Sequence, residues 1–167
     1  MIFVYAISAV LIVLSLVIQG HSSFEVIRTL GVKPDLLFII IVYLSYNFGP
    51  FYGESCGFIG GLLHDCVSRS PLGLLAFPKM AIGFVAGMLG RDIFKNNLLT
   101  IMLLMFIASL AKGVITLMLC YAFSEAYISQ VISVIIPEAV YNSFISPIIF
   151  ILLDKIFAKE LESEGNL

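Results

Sequence analysis

Apolar residues run through almost the whole chain and are interrupted only by short polar segments. Hydrophobic residues make up 60% of the sequence and charged residues 12%, whereas soluble domains carry roughly 25% charged residues. A helix needs about 20 mostly apolar residues to cross a bilayer, so the chain has room for about six spans and little else. We therefore predict an all-α polytopic membrane protein, in which residues 1–159 form one transmembrane domain and residues 160–167 form a short acidic cytoplasmic tail.

Short turns divide the apolar sequence into six predicted helices. The turns at residues 47–50 and 68–71 each hold a proline beside small or polar residues. The predicted helices cover residues 2–18, 34–46, 51–67, 72–89, 98–123 and 137–157. Residues 124–136 place apolar side chains at helical spacing, which fits either a helix lying in the membrane interface or an extension of a neighbouring helix.

Glycines recur every four residues in the third and fourth predicted helices. They are Gly49, Gly53, Gly57, Gly60 and Gly61 around and within the third helix, and Gly83 and Gly87 in the fourth. Small residues let helix backbones approach closely in membranes. The pattern therefore predicts close packing, either between these two helices or against the helix of a partner.

Burying a charge inside a span costs on the order of 3 kcal/mol on insertion scales, and four of the ionisable residues in the predicted spans are candidates for mutual pairing. They are Asp65, Lys79, Lys112 and Glu138. When the helices are reflected through their connecting turns, the four residues fall at similar depths, with His64 nearby. We therefore expect a buried polar cluster of zero formal charge in which Asp65 pairs with Lys79, whose stem can reach by snorkelling. Helix pinning, a substrate or proton pathway, and partner docking are its alternative roles.

Pro34 and Asp35 open the second predicted helix. Proline is tolerated in the first turn, where its missing N–H would be unpaired, and aspartate favours the positive end of the helix dipole. We interpret both residues as helix-capping elements.

Several functional classes lack a sequence signal. The chain has no Walker loop, no serine elbow and no zinc motif. Cys56, Cys66 and Cys120 show no metal-ligand spacing, so we interpret them as packing residues. A net charge of −2 without a basic run gives no support for nucleic-acid binding. We expect a protein that is not an enzyme and uses no metal or cofactor.

A series of short motifs follows in order between residues 33 and 90. They read Lys33-Pro34-Asp35-Leu36-Leu37, then Gly49-Pro50, then GFIGGLLHD over residues 57–65, then Pro71-Leu72-Gly73 before a glycine-bearing helix. This order resembles the bacterial rod shape-determining protein family MreD. The matching positions are Pro34, Asp35, Gly57, Gly61, Asp65, Pro71, Leu72 and Gly73. Lys79 and Lys112 are not part of that family motif, so the polar cluster is an inference about this chain alone.

The resemblance implies a non-enzymatic scaffold of the cell-elongation machinery in the bacterial inner membrane, with a cytoplasmic amino terminus and a role in rod shape and peptidoglycan synthesis. The partners it implies are MreC, RodA with a class B penicillin-binding protein, MreB directly or indirectly, and membrane lipid. A homodimer stays open. The matching positions are expected to be structural or docking residues rather than catalytic ones.

A second reading comes from a further likeness. The MreD family is similar to the six-helix substrate-binding subunits of energy-coupling-factor vitamin transporters, so a solute-binding membrane subunit is the alternative. Against it, the first helix lacks paired small residues at a spacing of four, since Ala6 and Ala9 are three apart. A polar pocket open to the outside would favour transport, and a filled core with an exposed apolar groove would favour scaffolding.

Overall fold

The computed structural model describes residues 2–21, 32–93, 97–123 and 128–163. Within these ranges the regular structure is helical and contains no strand, which confirms the all-α prediction. The helices are α1 (Ile2–Gly20), α2 (Leu36–Phe48), α3 (Pro50–Ser68), α4 (Ala76–Ile93), α5 (Leu98–Phe123), α6 (Ile128–Ile156) and α7 (Ala158–Ser163).

Helix α2 forms the centre of the bundle. Every residue from Leu37 to Asn47 is buried, which is typical of a helix that is apolar on all sides and surrounded by others. Helices α1, α3, α4 and α6 pack around it. Tyr43 packs edge-on against Phe150 of α6, with ring centroids 5.1 Å apart, and its hydroxyl donates to Asp154 Oδ1 at 2.9 Å.

Helices α3 and α4 form an antiparallel hairpin whose backbones touch through glycines. A Cβ added at Gly57 would lie 2.6 Å from the carbonyl oxygen of Lys79, and one at Gly83 would lie 2.6 Å from the carbonyl oxygen of Gly53. At the far end, a Cβ at Gly87 would meet the Cα of Pro50 at 2.5 Å. The glycines of α3 and α4 therefore serve close packing between these two helices of the same chain.

The remaining glycines of the pattern contribute to the same hairpin in different ways. A Cβ at Gly61 would collide with the backbone of Ala76, and a Cβ at Gly53 would collide with Ser45 of α2. The Ser45 hydroxyl donates to the carbonyl oxygen of Gly83, so α2 is tied to α4 at this crossing. Gly49 has φ +94° and serves as the cap between α2 and α3. Gly60 lies on another face, toward Leu37.

Three predicted helix starts differ from the structure by two residues or more. Helix α2 begins at Leu36 rather than at residue 34, because Asp35 is its N-cap. Helix α4 begins at Ala76 rather than at residue 72, because Gly73 takes φ +98° and turns the chain before the helix starts. Helix α6 begins at Ile128 and continues through Pro137, so the described part of residues 124–136 extends α6. Prolines are tolerated inside membrane helices because neighbouring groups satisfy the freed backbone. Residues 124–127 lie outside the described ranges.

The segment expected as a cytoplasmic tail is ordered at its start. After α6, residues 158–163 form α7, and Leu161 is buried in the same hydrophobic core as Phe157. The core of the domain therefore extends past residue 159. Residues 164–167 lie outside the described ranges.

Within the described ranges, three helices are long and apolar enough to cross a membrane, namely Phe3–Gly20, Leu98–Phe123 and Val131–Ile156. The apolar helices Leu36–Phe48 and Ala76–Gly90 are shorter. At a rise of 1.5 Å per residue, the 13 residues of α2 cover about 20 Å, less than the roughly 30 Å of a bilayer's hydrocarbon core. Large apolar side chains such as Val10, Met118 and Ile148 are more than 60% exposed on the three long helices, as expected of surfaces that face lipid.

Candidate functional site

Four charged side chains from different parts of the chain meet near the start of α2. Lys79 Nζ lies 2.8 Å from Asp35 Oδ2, and Lys112 Nζ lies 2.9 Å from the same oxygen. Lys112 also forms an ion pair with Glu138. We call Asp35, Lys79, Lys112 and Glu138 the ion cluster. Its two acids and two lysines give a formal charge of zero.

The position of Asp35 follows from its role as the N-cap of α2. Its Oδ1 accepts a hydrogen bond from the Phe38 N–H at 3.0 Å, which satisfies one of the unpaired donors at the start of the helix. The capping interpretation is confirmed for Asp35 but not for Pro34, which precedes the N-cap instead of lying in the first turn. For Asp35 it is also incomplete. The second carboxylate oxygen, Oδ2, is the one that binds both lysines.

The expected pairing of Asp65 with Lys79 is wrong. Asp65 is fully buried and accepts hydrogen bonds from the Ser70 hydroxyl at 2.7 Å and from the backbone N–H groups of Gly73 (2.8 Å), Leu75 (3.0 Å) and Ala76 (3.2 Å). These donors belong to the turn and to the start of α4. Backbone N–H groups at a helix start attract a carboxylate. Because Asp65 binds these groups, it forms no ion pair with Lys79 in the described part of the chain. Asp35 takes the place that we expected for Asp65.

The motif around Asp65 therefore builds a turn. Pro71 accepts a backbone hydrogen bond from Leu74 at 3.1 Å, Gly73 supplies the positive φ, and Leu72 is 74% exposed. Asp65 stabilises this turn through the hydrogen bonds that its buried carboxylate accepts.

Three of the four residues of the ion cluster are buried, and Glu138 is partly buried. Lys79 is 0% exposed, Lys112 7% and Asp35 8%. Charges removed from water are tolerated only when they are paired and hydrogen-bonded. Lys112 Nζ also lies 4.8 Å from the centroid of the Phe38 ring, a distance at which a cation is attracted to the ring face.

His64 lies next to the ion cluster, as expected. Its Nδ1 lies 3.1 Å from Lys79 Nζ. Because an ammonium group only donates, Nδ1 is the acceptor and the ring proton is on Nε2. His64 is therefore neutral in this arrangement and adds no charge to the ion cluster.

Asn142 supports the ion cluster and was missed by sequence reasoning. It is fully buried in α6, where its Oδ1 accepts from the backbone N–H of Asp35 at 2.9 Å and its Nδ2 donates to Ser109 Oγ at 3.1 Å. A weaker contact of 3.4 Å reaches Glu138 Oε1. Its position one helical turn after Glu138 is the signal that could have found it, because residues four apart share a helix face.

The ion cluster borders two cavities. The first, which we call the polar cavity, has a volume of about 450 Å³ and is lined by the ion cluster together with His64 and Gln19, among others. The second, the apolar cavity, has a volume of about 260 Å³ and is lined mainly by Val131, Val134 and Ile135 of α6, by the turn before α4 and by part of α5. Leu75, Lys112 and Glu138 line both cavities.

The described residues contain no group of three His, Cys, Asp or Glu side chains that could hold a metal ion. Cys56 and Cys120 are buried free thiols and Cys66 is an exposed one. The chemistry of the site is that of paired charges beside a cavity.

Comparison with known proteins extends the resemblance seen in the motifs. A family model described as rod shape-determining protein MreD matches residues 1–159 of the 167-residue chain. No curated protein and no solved structure matches the chain.

Proposed function

Because the chain belongs to the MreD family of rod shape-determining proteins, we propose that it is a non-enzymatic scaffold of the cell-elongation machinery in the bacterial inner membrane. The family match over residues 1–159 carries this proposal, since it assigns a role in rod shape determination to almost the whole chain.

In the proposed topology α1 to α6 each cross the membrane and the amino terminus is cytoplasmic. Helix α2 is short, but it is enclosed by other helices rather than by lipid, so its ends need not reach the bilayer surface. This topology puts the start of α2, and with it the ion cluster, in the outer half of the membrane.

The proposed partners are MreC and, through it, the RodA and penicillin-binding-protein synthase and MreB. The geometry favours a scaffold that holds its partners in position. Backbone contacts join α3 to α4, and the Ser45 side chain ties α2 to α4, so the three helices form a stiff frame. The long helices α5 and α6 present apolar side chains such as Leu103, Ile107 and Phe144 outward, and such faces accept either lipid or the transmembrane helix of a partner.

Recovery of native complexes tests the proposal. We expect the tagged protein, crosslinked in its native membrane and purified in detergent or nanodiscs, to bring down MreC together with RodA or the penicillin-binding protein. A variant with Leu103→Ser and Ile107→Ser on the outward face of α5 should lose one of these partners if α5 is the docking face, and the matched pair Leu152→Ser and Phe144→Ser tests α6. Wild-type protein purified without any of the three proteins contradicts the scaffold.

A second function is favoured by the polar cavity. Its volume of about 450 Å³ lies within the roughly 300–1,000 Å³ of small-molecule sites, and polar groups line it, which fits a solute-binding subunit. The spacing of Ala6 and Ala9 on α1 argues against docking on a transporter's energising partner. Co-purification of transporter ATPases, or of a water-soluble molecule bound to the protein alone, would favour this second function.

A further inference from the structure

The polar cavity and the apolar cavity meet at the ion cluster. Lys112, Glu138 and Leu75 line both. On one side the wall includes charged and polar groups, and on the other side it consists largely of aliphatic residues from α6 and from the turn before α4. A ligand that spans the junction must therefore be polar at one end and hydrocarbon at the other.

The charges around the polar cavity indicate what the polar end must be. The ion cluster sums to zero, so a ligand with a net charge would place an uncompensated charge where water screens poorly. Two side chains that line the polar cavity each have a polar atom without a partner among the described residues. Among the described residues, Glu138 Oε2 has no donor and His64 Nε2 has no acceptor. A ligand carrying one negative and one positive group matches this arrangement.

The apolar cavity borders the surface that faces lipid. Ile132 and Ile136, which flank its lining residues on α6, are 55% and 66% exposed. Gly113 keeps the α5 wall of the cavity free of a side chain, and a Cβ there would lie 2.8 Å from Ile135 Cγ1. A hydrocarbon chain can therefore enter from the bilayer without leaving an apolar environment.

We propose that the ion cluster is a binding site for a zwitterionic phospholipid. The phosphate lies toward Lys79 and His64, the ammonium group lies toward Glu138, and one acyl chain occupies the apolar cavity. This site goes beyond the scaffold function and does not depend on it, because it needs only the isolated protein and lipid.

The test reconstitutes the full chain in nanodiscs made of equal amounts of phosphatidylethanolamine and phosphatidylglycerol, followed by native mass spectrometry of the released protein. We expect one phosphatidylethanolamine to be retained in preference to phosphatidylglycerol. Leu75→Trp, which fills the junction of the two cavities, should lower retention at least about fivefold, a change of roughly 1 kcal/mol. Leu152→Trp makes the same change on an outward residue that is 59% exposed, and it should retain the lipid.

A second variant tests the charge argument even if Leu75→Trp fails to fold. Glu138→Gln leaves the ion cluster with one positive charge in excess, so the retained lipid should change from phosphatidylethanolamine to the anionic phosphatidylglycerol. Glu54→Gln removes one negative charge from α3, away from both cavities, and should leave the preference unchanged. Equal retention of both lipids by the wild type, an unchanged preference in Glu138→Gln, or a water-soluble molecule in place of lipid would each overturn the proposal.

Discussion

Replacing Gly57 by alanine tests whether α3 and α4 depend on direct backbone contact. The added Cβ would lie 2.6 Å from the carbonyl oxygen of Lys79 and 2.9 Å from the Cα of Met80, whereas ordinary contact begins at 3.4 Å. Both neighbours are backbone atoms, so the helices must separate locally by about 0.8 Å at the Lys79 carbonyl. Overpacking of this kind typically costs about 1–3 kcal/mol.

The net effect includes a gain as well as this loss. Alanine is favoured over glycine in a helix interior by about 1 kcal/mol. Gly60→Ala, in the same helix, provides the matched control, because its Cβ would meet the flexible end of Leu37 at 3.2 Å. We expect Gly60→Ala to be neutral or slightly stabilising, while Gly57→Ala is destabilising by up to about 2 kcal/mol after the alanine gain is subtracted.

Thermal unfolding in detergent measures the difference. The chain has no tryptophan, but Cys56 and Cys120 are buried, so a dye that becomes fluorescent on reacting with thiols reports their exposure. A loss of 1 kcal/mol lowers the Tm by roughly 2–4 °C in a chain of this size, which puts Gly57→Ala up to about 8 °C below the control. A Tm for Gly57→Ala equal to or above that of Gly60→Ala would refute the packing argument.

Three further substitutions test the polar groups and the carboxyl-terminal helix. Asp35→Asn keeps a side chain that caps α2 but removes the carboxylate shared by two lysines, so we expect a loss of about 3 kcal/mol or more, seen as a lower Tm or loss of folded protein in size-exclusion chromatography. The charge swap Asp65→Lys with Lys79→Glu should recover nothing relative to either single variant, because the two residues do not pair; recovery of folded protein would contradict the assignment of Asp65 to the turn. Leu161→Ala should cost about 2 kcal/mol or more through loss of core packing, whereas Lys159→Ala on the exposed side of α7 should leave the Tm within error of the wild type.

Helix positions in this chain follow closely from the apolar pattern where turns are marked by proline or glycine. Helix α5 was predicted with the bounds that it has, and α3 begins and ends within one residue of the prediction. The start of α4 was misplaced because Leu72 is apolar and continues the helical pattern, although the positive φ of Gly73 stops the helix there. A left-handed conformation depends on the three-dimensional turn, and the hydrophobic pattern does not record it.

The ion cluster was predicted in part for a similar reason. Depth along the helices correctly brought Lys79, Lys112 and Glu138 together, because depth follows from counting residues. The acidic partner of Lys79 was misassigned for two reasons. Counting residues gives the depth of a side chain but not the direction in which it points around the helix axis. Counting also does not reveal that backbone N–H groups of the turn donate hydrogen bonds to Asp65. Asp35 was interpreted as a cap alone, although a carboxylate has two oxygens and the cap uses one.

The polar contacts between α2 and the α5–α6 pair stand at opposite ends of the bundle. Near the start of α2, Asp35 binds Lys112 through its carboxylate and Asn142 through its backbone. Near the end of α2, Tyr43 donates to Asp154. In a membrane there is no water to drive helices together, so packing and hydrogen bonds must hold them. The α3–α4 hairpin is stabilised by glycine packing. Helix α5 contacts the central helix at Asp35, and α6 contacts it at Asp35 and at Tyr43, which also packs on Phe150. A ligand at the ion cluster therefore touches the groups through which α5 and α6 contact the start of α2.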